Sequence, residues 1–237
     1  MSRRILALIG ARANPKMEDW RLGDYPLVLW PYVSALNSKY INQTYISSNS
    51  ERLYSYIKPN IVTQHFIKRP DIYATATATD LEWITHALEW IEKEYGVYDI
   101  IVHLRATTPL IDPKIIDEAI SIFLQSPDAT SLRSAHALNE SPYKMFVKDN
   151  DYWKPFMTGE GEFFNQPRQK FTTVYHPNGY VDILRPEVIK SGQLHGNKIL
   201  AFETPRVIEI DSKQDLDDLQ KFYKESKTFG LMKQMYV

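Results

Sequence analysis

Cysteine is absent from this 237-residue chain. That excludes disulfides, thiolate nucleophiles and cysteine-ligated metals. A chain of this kind suits a reducing compartment, and a cytoplasmic location is expected. Long apolar runs are missing too: none approaches the ~18 residues a membrane span needs. The stretch Met1-Ser2-Arg3-Arg4 lacks the apolar and cleavage regions of a signal peptide. No membrane partner is expected. An excess of charge of one sign is also lacking. Net charge is −1, so no general attraction to nucleic acid is expected, and any polyanionic ligand must be met by a local cluster. No Gly-Lys-Ser/Thr stands before a helix, so a Walker A phosphate loop is absent.

What is present suits one sizeable α/β domain, at 43% hydrophobic and 24% charged residues. Ile5 to Ile9 is an apolar run of strand length, and the pattern stops at Gly10-Ala11-Arg12. Two cations four residues apart follow, Arg12 and Lys16. A buried strand feeding a cationic loop and then a helix can hold nucleotide phosphates. Taken alone, the same loop reads more simply as an ordinary surface turn with solvated charges. Apolar spacing resumes at Leu27, and Pro26 to Leu36 reads as a helix. Pro31 is tolerable there if the helix begins near Val28, because the first N–H groups have no intrahelical acceptor.

Gln43 to Ser47 reads as a second strand, Ser50 to Ile57 as a short helix and Val62 to Ile67 as a third extended segment. Residues 71–79 are small and hydroxyl-rich, either a strand or a loop lying against a flat ligand. Thr79-Asp80-Leu81-Glu82 is a capping box. The helix after it carries Leu81, Ile84, Leu88, Ile91 and Tyr95 on one face and stops at Gly96. Asp99 to Leu104 is an apolar run of the kind expected in a parallel sheet, and Pro113 to Leu124 is helical. Alternating strands and helices predict a doubly wound, mostly parallel sheet. Ligands bind such sheets off the carboxyl ends of the strands. The Arg12 loop, the Arg69 region and the Arg105-Thr107-Thr108 turn all fall at such ends, and this convergence favours a phosphate site.

From Glu140 to His176 the alternation is lost while aromatic residues abound. A free loop of this length is improbable, so a strand-rich excursion is expected, packing on another subunit or closing as a lid. Tyr180 to Leu184 and Val207 to Ile210 read as the last strands. Glu209 and Asp211 would share one strand face and could hold one Mg²⁺. The alternative is that Asp211 caps the final helix.

In this order the pieces resemble the acylneuraminate cytidylyltransferase (CMP-sialic acid synthetase) family over nearly the whole chain. Ile9-Gly10-Ala11-Arg12 through Lys16 is similar to its loop Ala-Arg-x-Gly-Ser-Lys. Tyr25-Pro26-Leu27-Val28, Ile46-Ser47-Ser48-Asn49-Ser50, Arg69-Pro70 and His86-Ala87-Leu88-Glu89 fall at familiar spacing. So do Leu104-Arg105-Ala106-Thr107-Thr108-Pro109-Leu110, Pro142-Tyr143-Lys144-Met145, Arg168-Gln169, Pro177-Asn178-Gly179 and Glu209-Ile210-Asp211.

The resemblance implies a single Rossmann-like nucleotidyltransferase domain over 1–237, with 140–176 as an inserted arm of a homodimer. It implies transfer of CMP from CTP to the anomeric oxygen of an acidic nine-carbon sugar, releasing pyrophosphate. The implied catalytic residues are Arg12, Lys16 and Asp211. Nucleotide-binding residues would be Ala11, Arg12, Asn14, Lys16, Arg21, Arg69, Ala78 and Asp80. Arg105, Lys144, Arg168, Tyr175 and His195 would stand by the sugar, and Glu209 and Asp211 would carry Mg²⁺. Departures from the family pattern are Asn14-Pro15 where it has Gly-Ser, Asn49 and Ala76 where it has acids, Arg105 for glutamine, Ile111 for arginine, and Glu209 for aspartate. Arg21 stands near where a Lys-Asn pair is missing. Arg105 is expected to reach the substrate carboxylate or to pair with Glu209 or Asp211. Two alternatives remain: another acidic sugar such as 3-deoxy-octulosonate, or another nucleotide; and a degenerate protein that binds nucleotide without turnover.

Overall fold

A computed structural model describes residues 3–236. The chain opens with strand β1 (Ile5–Gly10), the short helix α1 (Pro15–Asp19) and a two-residue ladder, β2 (Arg21–Leu22) and β3 (Tyr25–Pro26). Then come α2 (Leu29–Leu36), β4 (Gln43–Ser48), α3 (Glu51–Ile57), β5 (Phe66–Lys68), α4 (Asp80–Tyr95), β6 (Ile100–Arg105), α5 (Pro113–Leu124) and β7 (Ser131–Ala137). A hairpin, β8 (Phe146–Asp149) and β9 (Tyr152–Pro155), precedes the ten-residue β10 (Tyr175–Leu184). The chain closes with α6 (Pro186–Lys190), β11 (Ile199–Glu203), α7 (Lys213–Gln220) and α8 (Lys227–Tyr236).

Seven strands form one sheet in the order β11-β7-β10-β6-β1-β4-β5. Only β10 runs antiparallel to its neighbours. The apolar run of β1 lies between two parallel partners, β4 and β6. Ile5, Ala7 and Ile9 feed the core on one face, with α2 and α5, while Leu6 and Leu8 feed the other, with α4 and α6. Burial on both faces is why the run is continuous and does not alternate. The doubly wound, mostly parallel sheet is therefore as expected.

Several local expectations hold at residue level. Val28 precedes α2, which leaves Pro31 in its first turn. Thr79 and Glu82 close the capping box of α4, and Gly96 ends that helix at φ 83°. Other expectations need correction. Val62–Ile67 is not one strand: Thr63–His65 is a 3-10 turn, tied by His65 N–H to the Val62 carbonyl at 2.8 Å, and β5 begins at Phe66. Residues 71–79 are turn and loop. Val207–Ile210 is not a strand either. The ladder of edge strand β11 ends as Thr204 N–H meets the Ala135 carbonyl, Pro205 has no N–H to continue it, and the next backbone N–H bond to another segment is that of Ile210, to the Thr107 carbonyl. Ser212, not Asp211, caps α7. Strands β7 and β11 and helices α6 and α8 carry mixed sequences that the periodicity did not single out.

The 140–176 excursion contains the single hairpin β8–β9 and three 3-10 turns. Tyr143 stacks on Phe171, and Phe164 meets both Phe146 and Phe163 edge-on. Tyr152, Trp153 and Phe156 remain 80%, 70% and 59% exposed.

Candidate active site

A cavity of about 620 Å³ opens off the carboxyl ends of β1 and β6. Gly10 ends β1 beneath it. A Cβ there would stand 2.8 Å from the Trp83 ring and 3.1 Å from Arg69, so the backbone approaches a packed pair of side chains. The loop beyond carries Arg12 to Lys16 along one wall. Asn14 accepts from Met17 N–H and caps α1, with Pro15 at its first position. Pro15 therefore withholds an N–H that the helix leaves without an intrahelical acceptor in any case. That answers, for the helix, the departure noted at Asn14-Pro15.

Arg12 donates to the Thr75 carbonyl at 2.7 Å. Lys16 donates to the Ile210 carbonyl at 2.8 Å and lies 3.4 Å from Asp211. Arg69 is buried under the cavity floor. It donates to the Ser47 hydroxyl and carbonyl at 3.1 and 2.8 Å, and its guanidinium lies 4.5 Å above the Trp83 ring. Burial brings its pKa down to about 10, Asp80 pulls the other way, and Arg12 adds to the depression.

Arg105, at the end of β6, bonds Asp182 at 2.9 Å and Asp80 at 3.2 Å. This corrects the expected pairing with Glu209 or Asp211. Asp80 also accepts from the Trp83 indole at 2.9 Å. Burial, with Arg105 adding to it, drives His103 down to about 4, so this histidine is neutral near pH 7. A continuous chain thus runs along the floor: Asp182, Arg105, Asp80, Trp83, Arg69 and Ser47.

Of the expected site residues, Ala11, Arg12, Asn14, Lys16, Arg69, Ala78, Asp80, Arg105 and Asp211 line this one cavity. Arg21 does not. It donates to the Glu18 and Trp20 carbonyls and lies over Tyr56, so its charge serves the turn after α1. A second cavity, of about 1030 Å³, is lined by Glu209 with His136, His176, Asn178 and Arg206 among others. Tyr175 bonds Glu203, and Arg168 donates to the Leu138 carbonyl near that cavity's rim. Lys144 is exposed on the excursion. His195 is half-buried; burial lowers its pKa, Asp182 opposes this, and Arg133 and Arg105 add to it. Glu209 and Asp211 do not share a strand face. They flank a tight turn, Asp211 N–H to Glu209 carbonyl at 3.1 Å, one facing each cavity.

Sequence reasoning missed Trp83, His103 and Asp182. The signal was available for two of them. His103 in IIVHLR and Asp182 in YVDIL each interrupt an apolar strand, and they face one another across β6 and β10. A polar residue that a strand buries needs a partner.

A parallel sheet with cations gathered at its carboxyl edge defines a nucleotide-binding α/β domain. Residues 20–189 match the family model described as cytidylyltransferase, and the chain belongs to that family. It is 26% identical to N-acylneuraminate cytidylyltransferase of Escherichia coli O18:K1:H7, over 94% of this chain and 51% of that protein. It is 23% identical to pseudaminic acid cytidylyltransferase of Campylobacter jejuni (strain 81-176), over 84% of this chain and 85% of the other. The chain spans about half the length of the curated N-acylneuraminate relatives it matches. The fold is similar to that of CMP:2-keto-3-deoxy-manno-octonic acid synthetase complexed with CTP, with TM-score 0.68 and 14% identity over 94% and 99% of the two chains.

Proposed function

We propose that this domain transfers CMP from CTP to the anomeric hydroxyl of a sialic-acid-like nonulosonic acid. The anomeric oxygen bonds to the α-phosphorus, the bond from that phosphorus to the β-phosphate oxygen breaks, and pyrophosphate and the hydroxyl proton leave. The observation that carries the reading is the set of cations Arg12, Lys16 and Arg69 around one cavity at the carboxyl edge of the sheet. Arg12 and Lys16 rest on backbone carbonyls. Phosphate oxygens are charged acceptors and form stronger bonds to them than carbonyls do. Catalysis is then positioning and charge neutralisation, with no covalent intermediate on the protein. Gly179 lies between Glu209 of the larger cavity and Arg105 of the first, and the larger cavity has room for the acidic sugar.

Glu209 and Asp211, on either side of the turn between the two cavities, would be the residues to hold Mg²⁺. Both offer hard oxygen donors, and the Glu209 carboxylate makes no hydrogen bond or ion pair among the described residues. Burial pushes its pKa up, Arg105 opposes this, and nearby Asp211 reinforces it, so a bound cation would relieve the pair. Among the described residues no group of three or more acidic or histidine ligands gathers. The remaining positions would fall to water and phosphate, as Mg²⁺ prefers. The ion would offset triphosphate charge and ease loss of the hydroxyl proton.

The exposed Tyr152, Trp153 and Phe156 on and beside the hairpin fit an interface with a second copy of the chain. Consumption of CTP suits a cytoplasmic setting. The test is pyrophosphate release from each of four nucleoside triphosphates against N-acetylneuraminate, pseudaminate and 3-deoxy-octulosonate. Release with CTP and a nonulosonate is expected. Turnover with octulosonate alone would reassign the substrate, and no turnover in the panel would overturn the enzymatic reading.

A further inference from the structure

The four cations at the first cavity are held in two different ways. Arg12 and Lys16 rest on carbonyls, and the carboxylate paired with Lys16, Asp211, is 81% exposed. The Arg69 side chain donates only to Ser47 among the described residues. Arg105 has both terminal nitrogens on carboxylates: NH1 on Asp182, whose side chain is 1% exposed, and NH2 on Asp80. Arg133 approaches Asp182 only to 3.7 Å, without a hydrogen bond from its Nε. His103, opposite Asp182, is neutral. The firm partner of this buried carboxylate is Arg105.

We propose that Asp182 is a positioning residue that holds Arg105 back from the phosphates, so that the cavity presents three cations to the nucleotide and withholds a fourth. The inference rests on the first cavity being the triphosphate site. Exchanging a carbonyl for a phosphate oxygen is favourable for Arg12 and Lys16. Exchanging Asp182 for phosphate would strand a buried carboxylate, which is strongly unfavourable. Gly179 limits the other way out. At φ 62° it sits so close that a Cβ would meet Arg105 Cδ at 2.9 Å and Glu209 Oε1 at 2.7 Å. An Arg105 freed from Asp182 keeps its bond to Asp80, which lines the first cavity, and so turns toward that cavity. Withholding it weakens the hold on pyrophosphate, the leaving product, which speeds release.

The test is calorimetric titration of the full chain with inorganic pyrophosphate and with CTP in metal-free buffer. Asp182→Asn is expected to bind pyrophosphate about tenfold tighter, equal to about 1.4 kcal/mol. The double variant Asp182→Asn/Arg105→Gln removes a neutral pair and is expected to bind within about twofold of the parent. A folded Asp182→Asn with unchanged or weaker binding overturns the proposal. So does a tenfold loss in the double variant, because Arg105 would then already be a phosphate ligand. If Asp182→Asn does not fold, the double variant decides alone. A parent that binds neither ligand overturns the phosphate-site reading and this inference together. A parent that binds both, with no gain in Asp182→Asn, overturns the inference alone.

Discussion

Replacing Arg69 with methionine separates binding from stability. Arg69 is 5% exposed, and burial holds its pKa at about 10. At about 1.4 kcal/mol per pH unit, keeping it charged in the folded protein costs roughly 3 kcal/mol. Methionine fills similar space and removes that cost. Against this, two charge-assisted bonds to Ser47 are lost at roughly 1.5 kcal/mol each, and the contact with Trp83 at roughly 1 kcal/mol. The Ser47 carbonyl keeps a partner, because Ala11 N–H also donates to it at 3.0 Å. The balance is a destabilisation of about 1 kcal/mol, or about 2–4 °C in a domain of this size. Binding behaves differently. Loss of a desolvated cation facing a triphosphate costs roughly 2 kcal/mol or more, a weakening of at least about thirtyfold. Thermal melting without ligand and calorimetric titration with CTP measure the two effects. An Arg69→Met variant that binds CTP within about threefold of the parent, or melts about 10 °C lower, refutes this reasoning.

Three further outcomes are expected. The folded pKa of His103 lies below its unfolded value, near 6.5, so as pH falls from about 6.5 to about 4 the unfolded chain takes a proton that the folded one refuses. Up to roughly 3 kcal/mol of stability is lost across that window; urea melts of the parent and His103→Gln should show a shallower pH slope in the variant, and equal slopes would disprove it. Asp211→Asn should change stability by less than about 0.5 kcal/mol, because Asp211 is exposed and Ser212 caps α7, while Mg²⁺-dependent pyrophosphate release drops by about a hundredfold; retained release would remove Asp211 from the metal site. Sedimentation at micromolar concentration should show a homodimer that Trp153→Ser weakens by about tenfold or more, and a monomeric parent would count against the hairpin as an interface.

The sequence by itself determined the elements whose signals are local. β1 and β6 were legible because a strand covered on both faces is a near-continuous apolar run. Helix α4 was legible because Thr79, Glu82 and Gly96 mark its ends chemically. The convergence of Arg12, Lys16, Arg69 and Arg105 followed from their places at strand ends, and all four line one cavity. Partnership was decided only by the tertiary structure. Whether Val207–Ile210 is a strand depends on a neighbour to pair with, and none lies alongside it among the described residues. Arg21 and Arg105 are both arginines near the expected site. One serves a turn and the other a buried carboxylate 77 residues away. Glu209 and Asp211, two residues apart, face different cavities because a turn replaces the strand between them. Hydrophobic period and capping act over a few residues and are written in them. The pairing of a buried charge is a contest among groups distant in the chain, and only folding brings those groups together.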